Sequence, residues 1–409
     1  MIVERDYKRN ETYLQERVAT LLLSKNNSLR LAFLFGFASL SSWLPVFNVW
    51  LEDEGLNGSQ IGIIAAVPWV VMLIFQPVWG IVADKFGKVS CLWVSLVVAA
   101  AAFVLLPAFG SGIVFIFWLT VLVSIFNTPV LPLLDSIALD KVEEGAGISY
   151  SNIRFWGAPG YGIGAFVTGW LIPVFGVKCA FFTSSFFLLM VLIVIYSYRF
   201  NNSKNKTMEI EFRDLRTVLA KRFLLGFLLV IIIVSIGQSA IFYYLTLYMR
   251  QIGASPEITG TAIGVQAMSE LPFYFVAAWL LQRTSPGRVV LIAIFATALR
   301  LFLYSINTNP NLVIFIETMN GLTWTLLWIA SVEFVNEMVP AEWRTTGQSL
   351  LWAAYFGAGA ISGNIVIGRM YQSMQMQKVY GIICIGILIV AMLASVVFLF
   401  TKKIKISRA

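Results

Sequence analysis

The stretch NNSKNKTMEIEFRDLRTVLAKRF, residues 201–223, is the longest polar passage after the N-terminus, and a series of apolar runs lies on either side of it. Six runs precede it, at about 31–51, 59–82, 90–108, 113–136, 150–173 and 178–198. Six follow, at about 224–249, 258–281, 289–306, 312–336, 346–368 and 378–401. Each is close to the roughly 20 residues that a tilted helix needs to cross a bilayer. The expected fold is therefore an all-α membrane protein of twelve transmembrane helices in two six-helix repeats. The expected boundaries are a cytoplasmic N-terminal segment (1–30), an N-terminal six-helix bundle (31–198), a cytoplasmic central loop (199–223), a C-terminal six-helix bundle (224–401) and a cytoplasmic tail (402–409).

Composition agrees with this reading. Of 409 residues, 59% are hydrophobic and 12% charged, and the mean hydropathy is +0.82, far outside the soluble range. Cys91, Cys179 and Cys384 fall far apart in or beside apolar runs, which suits small core residues better than a disulfide or metal framework. Histidine is absent, so the usual neutral-pH proton carrier and most zinc sites are excluded, and any proton must travel on carboxylates, with tyrosine as the other candidate. The chain shows no phosphate-binding glycine loop, nucleophile elbow or metal cluster, which argues against an ATP-driven pump or an enzyme and implies no cofactor.

Orientation follows from the basic residues. With the N-terminus inside, inner segments hold 23 of the 29 lysines and arginines and outer loops hold three, Lys178, Arg250 and Lys378. This asymmetry obeys the positive-inside rule and places both termini in the cytoplasm. The net charge of +8 then needs no nucleic-acid partner. The expected partners are a small-molecule substrate, a proton and the lipid bilayer, and nothing demands more than a monomer.

The halves also resemble each other at an offset of 200 residues. GISYSNIRFWGAPG (147–160) aligns with GQSLLWAAYFGAGA (347–360), matching Gly147 with Gly347, Ser149 with Ser349, Gly157 with Gly357 and Ala158 with Ala358. Two similar bundles joined by one loop suit a carrier that rocks around a central site.

The loop GIVADKFGK, residues 80–88, sharpens that reading. Gly80 permits close helix packing, Gly87 a tight reversal, and Asp84 a cap or a pairing across the seam between halves; Lys85 and Lys88 hold the loop inside. The loop resembles the signature of the major facilitator superfamily. WLPVFNVWLEDEGLNGSQIGIIAA, LIFQPVWGIVADKFGK, FNTPVLPLLDSIALD, SNIRFWGAPGYGIG, SELPFYF, ATALRLFLY and NGLTWTLLWIASVEFV extend the resemblance to the lactose permease and its relatives, the phenylpropionate permeases and nucleoside–proton symporters. It implies a secondary transporter working by alternating access, expected in a bacterial cytoplasmic membrane. The leading expectation is proton symport of a small organic solute such as a sugar, nucleoside or aromatic acid. The alternative is a proton-coupled exporter or antiporter of a small amphipathic compound.

Candidate site residues come from charge depth and from the resemblance. AMSELPFYF (267–275) puts Glu270 about 12 residues into its run, and Arg300 lies about 11 residues into the next, so both sit roughly 16–18 Å deep. Ionisable groups at that depth are costly and point to function. An opposite charge alongside favours the ionised acid and desolvation favours the protonated one, so a separable Glu270–Arg300 pair is the expected proton-coupling device. The resemblance likewise assigns Glu270 to a helix-eight acid that couples substrate to proton. It assigns Asp135 and Arg154 to the acid and arginine that grip the sugar, with Asp140 as a rival to Asp135, and Tyr161 to the aromatic that stacks on it. Asn320 stands where the lactose permease carries histidine, and Thr323 where it carries an acid, so the familiar relay is incomplete. Glu317 and Glu333 are expected at the membrane interfaces. Trp69, Tyr243, Tyr244, Phe273, Trp324 and Trp328 are candidate lining for a ring-bearing solute.

Overall fold

The computed structural model describes residues 25–109, 112–143, 149–196, 222–340 and 343–406. The N-terminal segment up to residue 24, the central loop from 199 to 221 and the last three residues of the tail, all expected to be cytoplasmic, lie outside the described residues. The described chain is all-helical. In order it runs through α1 (Lys25–Trp43), α2 (Phe47–Asp53), α3 (Gly58–Phe86), α4 (Lys88–Phe109), α5 (Ile113–Asn127), α6 (Val130–Glu143), α7 (Tyr150–Arg154), α8 (Gly157–Phe175) and α9 (Cys179–Tyr196). After the central loop come α10 (Arg222–Gln251), α11 (Pro256–Arg283), α12 (Pro286–Ile306), α13 (Pro310–Glu317), α14 (Leu326–Met338), α15 (Arg344–Trp352), α16 (Ala360–Ser373) and α17 (Met376–Ile406).

Among the described residues, eleven helical stretches are long and apolar enough to cross a membrane. The eighth expected run lies in α11, which is 28 residues long but falls outside that set. Gln266, Ser269 and Glu270 near its centre lower its hydropathy. Several spans are broken where the sequence predicts continuous helices. The first divides around Pro45, the fourth at Thr128 and Pro129, and the fifth at Phe155 and Trp156. Proline lacks an N–H and disfavours helix in the residue before it, which accounts for the first two breaks. In the tenth and eleventh spans the helix widens into π turns at Gly321–Thr325 and Ala353–Gly359.

Chain reversals are marked by residues suited to them. Gly55 and Gly253 both adopt positive φ, 82° and 80°, just before α3 and α11 begin. Asn57 and Gln60 then close α3 with a reciprocal capping box. Cys91, Cys179 and Cys384 are free and buried.

Helices before residue 197 pack mainly on one another, as do those after 221, and the two most extensive crossings between the sets are α8 with α11 and α3 with α16, with smaller ones between α2 and α10 and between α3 and the Ala353–Gly359 turn. Both crossings bring backbones into contact at the same end of the bundle. A Cβ on Gly62 would lie 2.5 Å from the Asn364 carbonyl oxygen, and one on Gly169 would lie 2.9 Å from the Gly260 Cα. Polar contacts tie that end further. Arg250 reaches Asp53 at 2.6 Å and Glu52 at 3.2 Å, Lys178 meets Glu54 at 2.9 Å, and Asn48 donates to the Tyr243 carbonyl at 2.7 Å.

The other end is open. Past Val71, α3 buries only Ala83; past Ala267, α11 buries only Ala277. Asp84 and Lys85 are exposed there. Lys88 is not free to serve as a surface charge, because it is buried and bonds both Asp140 oxygens at 2.7 Å. Gly87 makes the expected reversal at φ 94°. Gly80 differs from its expected packing role: a Cβ there would meet nothing within 4 Å, because this part of α3 stands clear of the opposite set of helices.

Candidate solute and proton site

Two polar clusters face the middle of the bundle. The first is carried by α6 and α7. Asp135 accepts a hydrogen bond from the Tyr150 hydroxyl at 2.8 Å and pairs with Arg154 at 3.8 Å. The Arg154 guanidinium lies over the Phe37 ring at 4.5 Å, and its Nη1 is buried without a partner. An arginine presents five donors in a fixed fork, so an idle one against an aromatic face is suited to a hydroxyl or carboxylate of a solute. Asp140, the rival acid, is bound to Lys88.

The second cluster joins α11, α12 and the tenth span. Arg300 is fully buried, and four of its donor contacts are made within the protein. Nη2 pairs with Glu317, Nη1 donates to Asn320 and Thr323 at 2.9 Å each, and Nε donates to the Tyr304 hydroxyl at 3.1 Å. Tyr304 in turn donates to Glu317. Tyr248 and Tyr380 pack their rings against Tyr304 at 5.6 and 5.0 Å.

This arrangement corrects two expectations. Arg300 is paired with Glu317 and not with Glu270. Glu317, expected at an interface, is 0% exposed. The reason is helical register: Glu317 precedes Asn320 by three positions, so both point from the tenth span toward α12, where Arg300 and Tyr304 are one turn apart. Glu333 is exposed. The Arg300–Tyr304 and Glu317–Asn320 spacings place each pair on one helix face, but they do not say that the two faces meet.

Glu270 is connected to the cluster by a neutral group. Asn320 accepts from Arg300 through its Oδ1 and donates through Nδ2 to Glu270 at 2.9 Å. The acid is half-buried on α11, and Arg154 of the opposite cluster lies within its electrostatic range. Tyr161 is also within range of Glu270, and Tyr243 within range of Tyr161. Glu270, Arg154, Asp135, Tyr161 and Asn320 are thus brought together around the seam between α8 and α11. Tyr244 is not part of this lining, since it is fully buried and donates to the Asn364 carbonyl at 2.9 Å. A separate cavity of about 280 Å³ lies in the closed end, with Ser41, Thr168, Thr246 and Arg250 in its wall, and none of the expected site residues reaches it.

The chain matches the model of the MFS_1 like family over residues 27–382. It belongs to that family. The maltose permease of Geobacillus stearothermophilus is 29% identical over 370 residues, which cover 88% of this chain and 92% of that one. A probable 3-phenylpropionic acid transporter of Escherichia coli (strain K12) is 21% identical over 86% of this chain and 93% of its own. Among solved structures, the nucleoside transporter NupG superposes with a TM-score of 0.81 at 17% identity, covering 91% of this chain and 98% of that one. The MFS_1 like chain is therefore an integral multi-pass membrane transporter of small solutes and not an enzyme.

Proposed function

We propose that this protein is a proton-coupled symporter that takes up a small saccharide across a bacterial cytoplasmic membrane. The observation that carries the proton assignment is the partnering of Glu270. Its hydrogen bond comes from the neutral Asn320 amide, while the nearby arginine charge is already matched by Glu317. A carboxyl held in this way can gain or lose a proton without stranding a buried cation. Arg154 and Asp135 form the polar grip for solute hydroxyls, with Tyr161 beside them. The saccharide reading is supported by the maltose permease, which is similar along nearly its whole length.

The basic-residue asymmetry supports cytoplasmic termini, with α11 as the eighth of twelve spans and residues 31–198 and 224–401 as the two repeats. On that orientation the open end at residues 84–88 faces the cytoplasm, and the protein is seen open inward. Asp84 and Lys85 would then meet the opposite half only when that end closes.

Proteoliposomes test this reading. With an imposed gradient, interior alkaline, maltose is expected to accumulate, and a protonophore is expected to abolish accumulation. Sucrose, uridine and 3-phenylpropionate serve as competing solutes. Uptake indifferent to the gradient overturns proton coupling, and uptake favoured by the reversed gradient replaces symport with antiport.

A further inference from the structure

The cavity in the closed end is built from both sets of helices. Ser41 of α1, Val49 of α2 and Thr168 of α8 line it from one set, and Thr246 and Arg250 of α10 with Thr259 of α11 line it from the other. It lies beside the α8–α11 crossing, where Gly169 and Gly260 let the backbones touch and supply no side chain to fill the space alongside. Thr168 is two helical turns past Tyr161, roughly 10 Å nearer the closed end, so the cavity is separate from the cluster around Glu270.

Most polar groups in its wall are already spent. The Ser41 and Thr259 hydroxyls donate to the Ala38 and Ser255 carbonyls at 3.2 and 3.0 Å, and the Thr246 hydroxyl donates to the Pro45 carbonyl. Arg250 is matched by Asp53 and Glu52. Thr168 differs: it is 1% exposed, and its hydroxyl has no partner. A buried hydroxyl is ordinarily bonded, so an idle one in a cavity wall is a place for a ligand's hydrogen bond. Val46, Ile172, Val177 and Ile263 make much of the remaining wall apolar.

We propose that this cavity is a binding site for a neutral alcohol with a compact apolar body, which sets its hydroxyl against Thr168 and holds the closed end shut. A saccharide would bury several hydroxyls against a wall with one idle partner, and an anion would find the Arg250 charge already matched. One hydroxyl on an apolar body suits both parts of the wall. Because the walls belong to opposite sets of helices, the cavity is whole only while this end is shut. A ligand that binds one state better draws the population toward that state. The occupied carrier therefore stays open at the 84–88 end and does not complete its cycle.

The test uses the full-length protein in detergent micelles, with menthol as the probe and p-menthane, the same body without the hydroxyl, beside it. Spin labels on Val114→Cys and Asn311→Cys, exposed at the starts of α5 and α13 on the closed end, report the distance between the two sets. The unfolding midpoint is a second readout, which responds even where wild type is already shut. Neither needs a transported solute, so the result is independent of the saccharide and proton readings. Menthol is expected to favour the short distances, raise the midpoint and half-saturate about fivefold below p-menthane, the worth of one net hydrogen bond. Thr168→Val keeps the shape and deletes an unpaired group, so it should fold as wild type and bring that ratio to about one. Comparing ratios cancels the partition of each probe into micelles. Unchanged distances together with an unchanged midpoint, or a shift toward longer distances, overturn the site. A fivefold ratio kept in Thr168→Val overturns the role of the hydroxyl. If maltose draws the end shut and loses this effect in Thr168→Val, the cavity holds the transported solute and the proposal falls.

Discussion

Glu270, half-buried, and Glu317, fully buried, are two acids with different partners, and their substitutions should separate accordingly. Glu270→Gln imitates the protonated form permanently. Exchange of solute across the membrane needs no net proton movement and should persist, whereas accumulation against a gradient should be lost, because the proton must be discharged in every cycle. Counterflow and gradient-driven uptake in proteoliposomes distinguish the two; full accumulation by a folded Glu270→Gln protein would pass the role to Glu317 or Asp135. Glu317→Ala should act on stability instead, because it strands the Arg300 guanidinium in a fully buried site. Removing one member of such a pair costs about 3–5 kcal/mol, while replacing both with apolar residues can be neutral. Thermal unfolding in detergent should therefore show a large loss for Glu317→Ala and a smaller one for the Arg300→Met, Glu317→Leu double variant. Simple addition of the two single losses would show that the pair is not coupled.

At the scale of elements, the crossings of α3 with α16 and α8 with α11 depend on glycine. A Cβ on Gly368 would fall 2.5 Å from the Gly58 carbonyl oxygen, so a larger side chain has nowhere to go while that end stays shut. Gly368→Val is expected to hold the α3–α16 crossing apart and raise the reactivity of a cysteine placed at Thr259, which is 8% exposed in the same closed end. The native cysteines are buried and give little background. Labelling at the wild-type rate would mean that the backbones separate elsewhere. The helix runs were legible from hydropathy, and the breaks at Pro45 and Pro129 were legible in principle from proline. The π turns were not, because the glycines in GLTWT and AAYFGAG are as compatible with close helix packing as with a widened helix; the donors that hold the turns, Gln238 and Ser235, arrive from a distant part of the chain.

For the whole molecule, the balance between open and closed ends is set by contacts present in only one state. Asp84 is exposed in the state described, so Asp84→Asn should leave this state intact and weaken its closed counterpart. Loss of one charge-assisted hydrogen bond, about 1.5–3 kcal/mol, would shift the ratio of the two states about tenfold or more toward the one seen here. Distances between spin labels on the two halves at the 84–88 end measure that ratio, and an unchanged distribution would count against a latch at Asp84. Lys88 should behave differently from Asp84 and Lys85, since its bond to Asp140 lies within one set of helices and persists whichever end is open.

Hydropathy is a property of successive residues, which is why the apolar runs, the central polar passage and the misplaced acid at Glu270 could be read directly from the sequence. The same holds for the glycine reversal at Gly87. Partner choice is different in kind. Arg300 matches both Glu270 and Glu317 as a buried opposite charge, and nothing along the chain distinguishes them. The rotation of the tenth span about its axis decides, turning Glu317 to Arg300 and leaving Asn320 between Arg300 and Glu270. Which end is shut, and whether Gly80 meets another helix, depend on how one set of helices lies against the other, and this is set by backbone approaches such as Gly62 to Asn364 and Gly169 to Gly260, between residues far apart in the chain.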